Sequence, residues 1–266
     1  MVQKSTKDNP AAFQQVKSKS LYTILKFFLK KIIKGNFINS IIFLKCSILN
    51  YLYHYKNKIK FYCNLCKNNI PGFLHAISHN KILYNSICPH CSSRKRHRGL
   101  LELYKSILKQ YKNPNILHFA PEPVFYNLFK SYNYKTADIE LSDVDLKLDI
   151  KHIHYLDNSF DIILCNHVLE HVDEDIKSLE ELFRVLKPLG IVIITVPGDW
   201  TRKNTVEYEE PDANGHYRDY GLSILNDLNA IFYKVKVIDL FKYNNNYHFS
   251  MGLTFQHDLA FICQKN

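Results

Sequence analysis

Four of the seven cysteines have the spacing of metal ligands. They form two Cys-x-x-Cys pairs, and 21 residues separate one pair from the other. Paired thiols at this spacing predict a tetrahedral zinc site. Four thiolates would close the coordination shell, so we expect a structural rather than a catalytic zinc ion. The predicted ligands are Cys63, Cys66, Cys88 and Cys91.

Two disulfide bonds are the alternative use of the same four cysteines. We favour zinc because we expect no signal peptide before them and because the other cysteines lie in apolar segments, which indicates a reducing compartment. Nearby histidines offer substitute ligands, namely His75, His79 and His90.

Histidines supply a second group of residues suited to chemistry. A histidine titrates near neutral pH and can therefore act as a general base. His216, in a polar segment, is our first candidate for this role, and His171 is the second. The alternative for His171 is a packing role at the start of a helix.

Arg218 lies two residues after His216 and completes the predicted catalytic set. We expect it to clamp an anionic substrate, because a guanidinium binds carboxylates and phosphates through paired hydrogen bonds. The alternative is a loop salt bridge with Asp219 or Glu209.

Alternating strand and helix patterns position these residues. Residues 160–165 and 190–197 are short apolar runs typical of buried parallel strands, and apolar residues from Ile176 to Leu186 follow the spacing of one helical face. Asp173 is the predicted N-cap of this helix, which Pro188 and Gly190 would end. A strand that returns to its own sheet through a helix must run parallel. Further strands are predicted within 115–123 and at 135–140, 148–150, 235–241 and 259–265, and a further helix at 222–232.

This alternation predicts a doubly wound α/β domain with a mostly parallel, Rossmann-like sheet. We place it at residues 99–266, after a zinc-knuckle module at 61–98 and a basic, apolar helical leader at 1–60 whose first 18 residues are disordered. Ligands of such sheets bind beyond the carboxyl ends of the strands. The residues from Asn166 to His171 are expected there.

Two motifs carry a resemblance to a known family. Asn166-His167-Val168-Leu169-Glu170-His171-Val172 and Arg184-Val185-Leu186-Lys187-Pro188-Leu189-Gly190 resemble the signatures around the fourth and fifth strands of class I S-adenosylmethionine-dependent methyltransferases, type 11 branch. A narrower subgroup shares further elements. Here these are Cys88-Pro89-His90-Cys91, Arg96-His97-Arg98, Ala120-Pro121-Glu122 and the run from His216 to Gly221.

The resemblance implies a cofactor site for S-adenosylmethionine. Asp138, with Glu140 as the competing choice, would bind the ribose hydroxyls, and Asp149 the adenine amino group. Glu122 would pair with a positive charge of the cofactor. The implied cofactor contacts are Phe119, Ala120, Pro121, Glu122, Asp138, Ile139, Asp149, Ile150, Asn166, His167 and Leu169.

The resemblance also implies direct transfer of a methyl group to a small molecule or a glycan or lipid-linked acceptor. The loop at 120–123 has prolines where most of these enzymes have glycines. The alternative is therefore a scaffold or binding protein whose cofactor loop has degenerated, and the third hypothesis is an RNA-modifying methyltransferase.

Charge is unevenly distributed along the chain, whose formal net charge is +10. Residues 1–62 contain twelve lysines and one acidic residue, whereas residues 63–266 contain 23 basic and 24 acidic residues. The predicted catalytic domain thus lacks the wide basic surface expected of a nucleic-acid partner.

The excess of lysine falls in the apolar leader. Its apolar runs are too short to span a bilayer, so we expect a cytoplasmic protein whose residues 20–55 either contact a membrane surface or pack on the domain or an identical partner.

The basic run Arg94–Arg98 follows the last cysteine of the predicted zinc site. Its positive charges would either be stabilised by the negative zinc-thiolate centre or contact an acidic substrate, and the sequence favours both equally. The sequence gives no oligomeric state.

Overall fold

The computed structural model describes residues 37–53, 61–78, 81–244 and 259–266. They belong to two compact units, which divide between Leu101 and Glu102; Asn244 belongs to the first unit and the last strand to the second. The predicted disordered start and the first leader helix lie outside the described residues. In the described ranges, no helix combines the length and the apolar character needed to cross a bilayer.

The first unit contains a helix and two small antiparallel sheets. Its elements are α1 (Phe37–Tyr53), β1 (Phe61–Cys63), β2 (Asn68–Ile70), β3 (Leu74–Ser78) and β4 (Lys81–Ile87), and helix α2 (Lys95–Leu108) begins here and continues into the second unit. Helix α1 packs on β3 rather than standing alone. The Asn50 amide donates to the His75 carbonyl (3.0 Å) and accepts from the His75 amide (2.7 Å). The second run of the leader is thus held by its own unit.

A seven-stranded sheet forms the second unit. Its strands are β5 (Asn115–Phe119), β6 (Asn133–Asp138), β7 (Leu146–Lys147), β8 (Phe160–Asn166), β9 (Leu186–Thr195), β12 (Lys234–Asp239) and β13 (Leu259–Gln264). The spatial order is β12-β13-β9-β8-β5-β6-β7, and β13 alone runs antiparallel to its neighbours. The predicted mostly parallel, doubly wound fold is confirmed.

Shorter elements complete this unit. They are a 3₁₀ turn (Pro123–Phe125), α3 (Tyr126–Phe129), a second 3₁₀ turn (Leu169–His171), α4 (Asp175–Val185), β10 (Val206–Glu207), β11 (Arg218–Asp219), α5 (Ile224–Ile231) and α6 (Leu240–Tyr243). Strand β8 is buried because β5 and β9 flank it and α4 covers one face with Leu179 and Leu182. This explains its continuous apolar sequence.

Two local predictions were wrong. The brief strand expected at Leu148–Ile150 is instead β7, two residues earlier, because Asp149 forms a turn in which its carboxylate accepts from the Lys151 amide. Glu174, rather than Asp173, is the N-cap of α4. The Asp173 carboxylate binds the Lys151 ammonium at 2.7 Å. Helix α4 ends at Val185, before Pro188 and Gly190, and β9 begins directly after it.

Arg98, the last residue of the basic run, is buried in the first unit. Its guanidinium donates to the carbonyls of Ser93 (2.6 Å) and Ser86 (3.2 Å) and lies 3.7 Å from the centre of the Phe73 ring. These contacts join the start of α2 to β4 and to the segment that follows it. Arg98 therefore has a structural role in this unit.

We expect Arg98→Met to lower the free energy of unfolding of the first unit by roughly 3 kcal/mol, because buried carbonyls lose charged donors. Chemical denaturation followed by circular dichroism measures the change. Lys105→Met removes one positive charge from the exposed side of the same helix, where the ion pair with Glu102 is worth less than about 1 kcal/mol. Equal losses in the two variants would contradict the structural role of Arg98.

Candidate functional site

The four cysteine thiols lie together in the first unit. Cys63 ends β1, Cys66 lies in the turn before β2, and the other two follow β4. All four sulfur atoms are within 4.8 Å of one another, with separations of 3.7 Å between Cys63 and Cys91 and 3.8 Å between Cys66 and Cys88. A tetrahedral zinc ion with bonds of about 2.3 Å places its sulfur ligands ~3.8 Å apart. The cluster therefore fits a zinc ion.

The thiols of this cluster also influence one another's ionisation. Hydrogen bonds from Cys88 and Cys91 lower the pKa of Cys63, while Cys63 and burial raise the pKa of Cys88. One thiolate is thus favoured before any metal binds, and thiolates are the form that binds zinc.

A largely buried carboxylate, with 10% of its side chain exposed, lies where the central strands β5 and β8 end. Glu122, just after β5, accepts hydrogen bonds from His118 Nε2 (3.2 Å) and from Asn166 Nδ2 (2.9 Å). The Asn166 amide also contacts the Tyr104 hydroxyl at 2.8 Å and accepts from Thr195 at 3.1 Å. These bonds fix Glu122 at the end of the sheet where ligands of parallel sheets bind.

The proline-rich loop before Glu122 is tied to the sheet as well. The Ala120 amide donates to the Ala137 carbonyl at 2.9 Å, and Ala120 has a positive φ of 46°. His118 Nδ1 lies 2.9 Å from the Tyr134 hydroxyl, so the tautomer that donates to Glu122 accepts from Tyr134. Burial raises the pKa of Tyr134, which keeps this hydroxyl protonated. Hydrogen bonds rather than glycines shape this loop.

The acidic residues at the end of β6 differ in their surroundings. Asp138 is buried, and one of its oxygens accepts from the amides of Glu140 (2.7 Å) and Leu141 (2.8 Å). Glu140 itself is exposed beyond the strand, as is Ile139. Asp149 is half-buried, and Ile150 belongs to the core. Asp138 thus shapes the turn that presents Glu140.

Glu170 was expected near the ligand end of the sheet, but its sequence context predicted no role for it in the site. It lies in the 3₁₀ turn after β8 with 1% of its surface exposed. Its Oε1 is 3.2 Å from His167 Nδ1 and 4.0 Å from His171 Nε2. Burial raises its pKa, but the bond to His167 and the charges of both histidines outweigh this, and the pKa is lowered. The only sequence signal was its place between two histidines at a strand end.

The two candidate general bases are brought together by the fold. The rings of His171 and His216 lie 4.8 Å apart at 75° to each other. His171 Nδ1 is 3.0 Å from the Gly215 carbonyl, and the Asp212 carboxylate accepts from the His216 amide at 2.9 Å. Glu170, His171 and His216 thereby form one cluster.

Arg218 has a role different from the predicted substrate clamp. It is 4% exposed, and its guanidinium donates to the carbonyls of Leu169 (3.1 Å), Val172 and Asp173 (2.7 Å). It also pairs with the Glu207 carboxylate at 3.0 Å. These bonds attach the turn after β8 to the strand that follows His216. Arg218 therefore positions the cluster.

We expect Arg218→Lys to lower the free energy of unfolding by roughly 2–3 kcal/mol, since a single ammonium nitrogen cannot replace the three separate nitrogens with which the guanidinium reaches Glu207 and the three carbonyls. Thermal unfolding measures the loss. Glu207→Gln removes only the exposed partner of the same guanidinium and is expected to cost less than about 1 kcal/mol. A loss as large in Glu207→Gln would show that the ion pair, not the carbonyl contacts, carries the effect.

Known proteins resemble parts of this chain. An uncharacterised protein of Methanocaldococcus jannaschii is 39% identical over 80 residues, which are 27% of this chain and 35% of that protein. The chain thus matches about a third of the length of this relative.

Solved structures of methyltransferases resemble the chain over a longer range. A methyltransferase of Burkholderia thailandensis, solved with 1,6-didemethyltoxoflavin and S-adenosylhomocysteine, is 16% identical with a TM-score of 0.45, covering 65% of this chain and 78% of its own. An S-adenosylmethionine-dependent methyltransferase of Archaeoglobus fulgidus is 17% identical with a TM-score of 0.45, covering 66% and 96%.

A family match covers the centre of the second unit. Residues 126–194 match the type 11 family described as a methyltransferase domain. The matched range includes β8, the turn with Glu170 and His171, and α4. The resemblance to class I methyltransferases of the type 11 branch, predicted from the motifs, is therefore confirmed.

Proposed function

We propose that the protein is an S-adenosylmethionine-dependent methyltransferase that acts on a small-molecule acceptor, free or linked to a glycan or lipid. The observation that carries the proposal is the buried Glu122 carboxylate, held by Asn166 and His118 at the ends of β5 and β8. The turn that contains Glu170 and His171 follows Asn166 by a few residues. Cofactor and acceptor groups would thus meet at one end of the sheet.

The described residues fit S-adenosylmethionine. Glu122 would pair with the ammonium group of its methionine part through a charge-assisted hydrogen bond. Glu140 would accept from the ribose hydroxyls in preference to Asp138, one oxygen of which is already engaged by two amides. Asp149 would accept from the adenine amino group, with Ile150 beside the ring.

The bound cofactor supplies an activated methyl group on a sulfonium. The protein would hold the acceptor in line with that group, and such positioning provides much of the rate enhancement. His216 or His171 would accept the proton that an acceptor hydroxyl or amine releases. Both histidines retain partly exposed side chains, at 17% and 42%, so an acceptor can reach them.

We expect Glu122→Gln to weaken S-adenosylhomocysteine binding by roughly 10- to 100-fold, the effect of losing one charge-assisted contact. Isothermal titration calorimetry measures the affinity. Glu180→Gln changes an exposed carboxylate on α4 and serves as the matched control. If the unaltered protein bound neither S-adenosylmethionine nor S-adenosylhomocysteine, the scaffold alternative would replace the enzyme.

For the four thiols we propose one structural zinc ion. Cys88→Ser is expected to remove about one equivalent of zinc and to unfold the first unit, because zinc binding contributes folding free energy in such sites. Elemental analysis and circular dichroism measure both effects. Cys263→Ala, in the last strand, alters a buried cysteine outside the cluster and should retain the zinc. Full folding of the metal-free protein would contradict a structural metal.

A further inference from the structure

We propose that Glu170, His171 and His216 bind a divalent transition-metal ion, separate from the zinc of the four thiols. Each residue offers one donor atom, and the three atoms lie within 4.8 Å of one another. Two imidazoles and one carboxylate suit first-row ions such as Mn²⁺, Fe²⁺, Co²⁺ and Zn²⁺, whereas Ca²⁺ and Mg²⁺ prefer oxygen donors throughout.

The Glu170 carboxylate is the first reason for this inference. The side chain is 1% exposed, and its Oε2 is a buried atom with no hydrogen-bond partner among the described residues. A buried carboxylate oxygen without a partner is costly. Oε1 lies 3.2 Å from His167 Nδ1 and 4.0 Å from His171 Nε2, so a rotation of the carboxyl group about its last torsion would bring the unpartnered Oε2 to a cation beside His171.

The orientation of His171 is the second reason. Its Nδ1 lies 3.0 Å from the Gly215 carbonyl, which can only accept, so Nδ1 carries the proton. The lone pair is then on Nε2, 4.0 Å from Glu170 Oε1. Metal-binding histidines usually donate their second ring N–H to a carbonyl or carboxylate in this way.

His216 approaches the same point from another part of the chain. Its Nδ1 lies 4.0 Å from Asp212 Oδ2, so a carboxylate stands beside this ring nitrogen, and its ring meets that of His171 at 4.8 Å between centroids. Bonds of about 2.0–2.2 Å place two donors of one ion ~3 to ~4 Å apart. The donor atoms, which lie within 4.8 Å of one another, would have to approach by up to ~2 Å, and rotations of the two partly exposed rings would provide this movement.

Three protein donors leave open positions on the ion, the arrangement of catalytic rather than structural metal sites. If the proposed methyl transfer is correct, on which this step rests, the open positions would bind an acceptor hydroxyl. The ion would lower the pKa of that hydroxyl so that its proton passes to solvent, and the oxygen would then form the new C–O bond as the C–S bond of the cofactor sulfonium breaks. The inferred acceptor class is then a hydroxyl compound, methylated on oxygen.

The test uses the full chain with the thiol cluster first loaded with one equivalent of Zn²⁺. Co²⁺ is then titrated and followed by its visible absorption, and Mn²⁺ is titrated and followed by electron paramagnetic resonance. We expect one further ion to bind, with affinity reduced at least tenfold in Glu170→Gln, His171→Asn and His216→Asn. His154→Ala, an exposed histidine of the same unit outside the cluster, should bind like the parent.

Two outcomes would overturn the inference. In the first, the parent binds neither Co²⁺ nor Mn²⁺ beyond its zinc, and the three side chains then form only a hydrogen-bonded cluster. In the second, the cluster variants bind these ions as tightly as His154→Ala does. Thermal unfolding of each variant shows whether it is folded. If Glu170→Gln does not fold, the variants of His171 and His216, whose side chains are partly exposed, still test the inference. S-adenosylhomocysteine binding is measured in parallel, so that loss of the cation and loss of the cofactor are told apart.

Discussion

The Arg218 guanidinium connects the turn after β8 to the segment that ends in β11, and the cluster of Glu170, His171 and His216 depends on this connection. The turn and the segment are more than forty residues apart in sequence, and the guanidinium bonds to three carbonyls of the turn. A lysine would be a poorer substitute, because an ammonium carries its three donors on one atom, whereas the guanidinium spreads five donors over three nitrogens. The arginine thus holds the segment of His216 against the turn that carries His171.

A second network fixes the other half of the site. Glu122, Asn166 and His118 come from the ends of two adjacent parallel strands, and each satisfies the others within hydrogen-bond distance. Such a network restrains Glu122 because one of its carboxylate oxygens, Oε2, is held by both neighbours. It explains how a loop with two prolines and no glycine can still present a defined anion at the end of the sheet. The same rigidity would prepare the site for a cationic ligand before binding.

The sequence predicted most of the sheet but not the details of its edges. Buried strands such as β8 and β9 appear as continuous apolar runs, because both faces are covered. The short β7 was placed two residues too late, since a two-residue strand has no period to recognise and Asp149 forms a turn there. Similarly, aspartate is common at helix N-caps, so the sequence favours Asp173 as the cap of α4. In the structure the Asp173 carboxylate instead pairs with Lys151, which is distant in sequence.

Sequence alone determined the four thiols, the α/β pattern and the histidine motif after β8, because these depend on residue type and local spacing. The tertiary structure alone decided that Glu140 rather than Asp138 is exposed at the end of β6, that Arg98 and Arg218 are structural, and that Glu170 is buried between histidines. These outcomes depend on which groups, distant in sequence, form hydrogen bonds with a given side chain. The spacing of neighbouring residues does not predict which partners forty residues away in sequence will contact them.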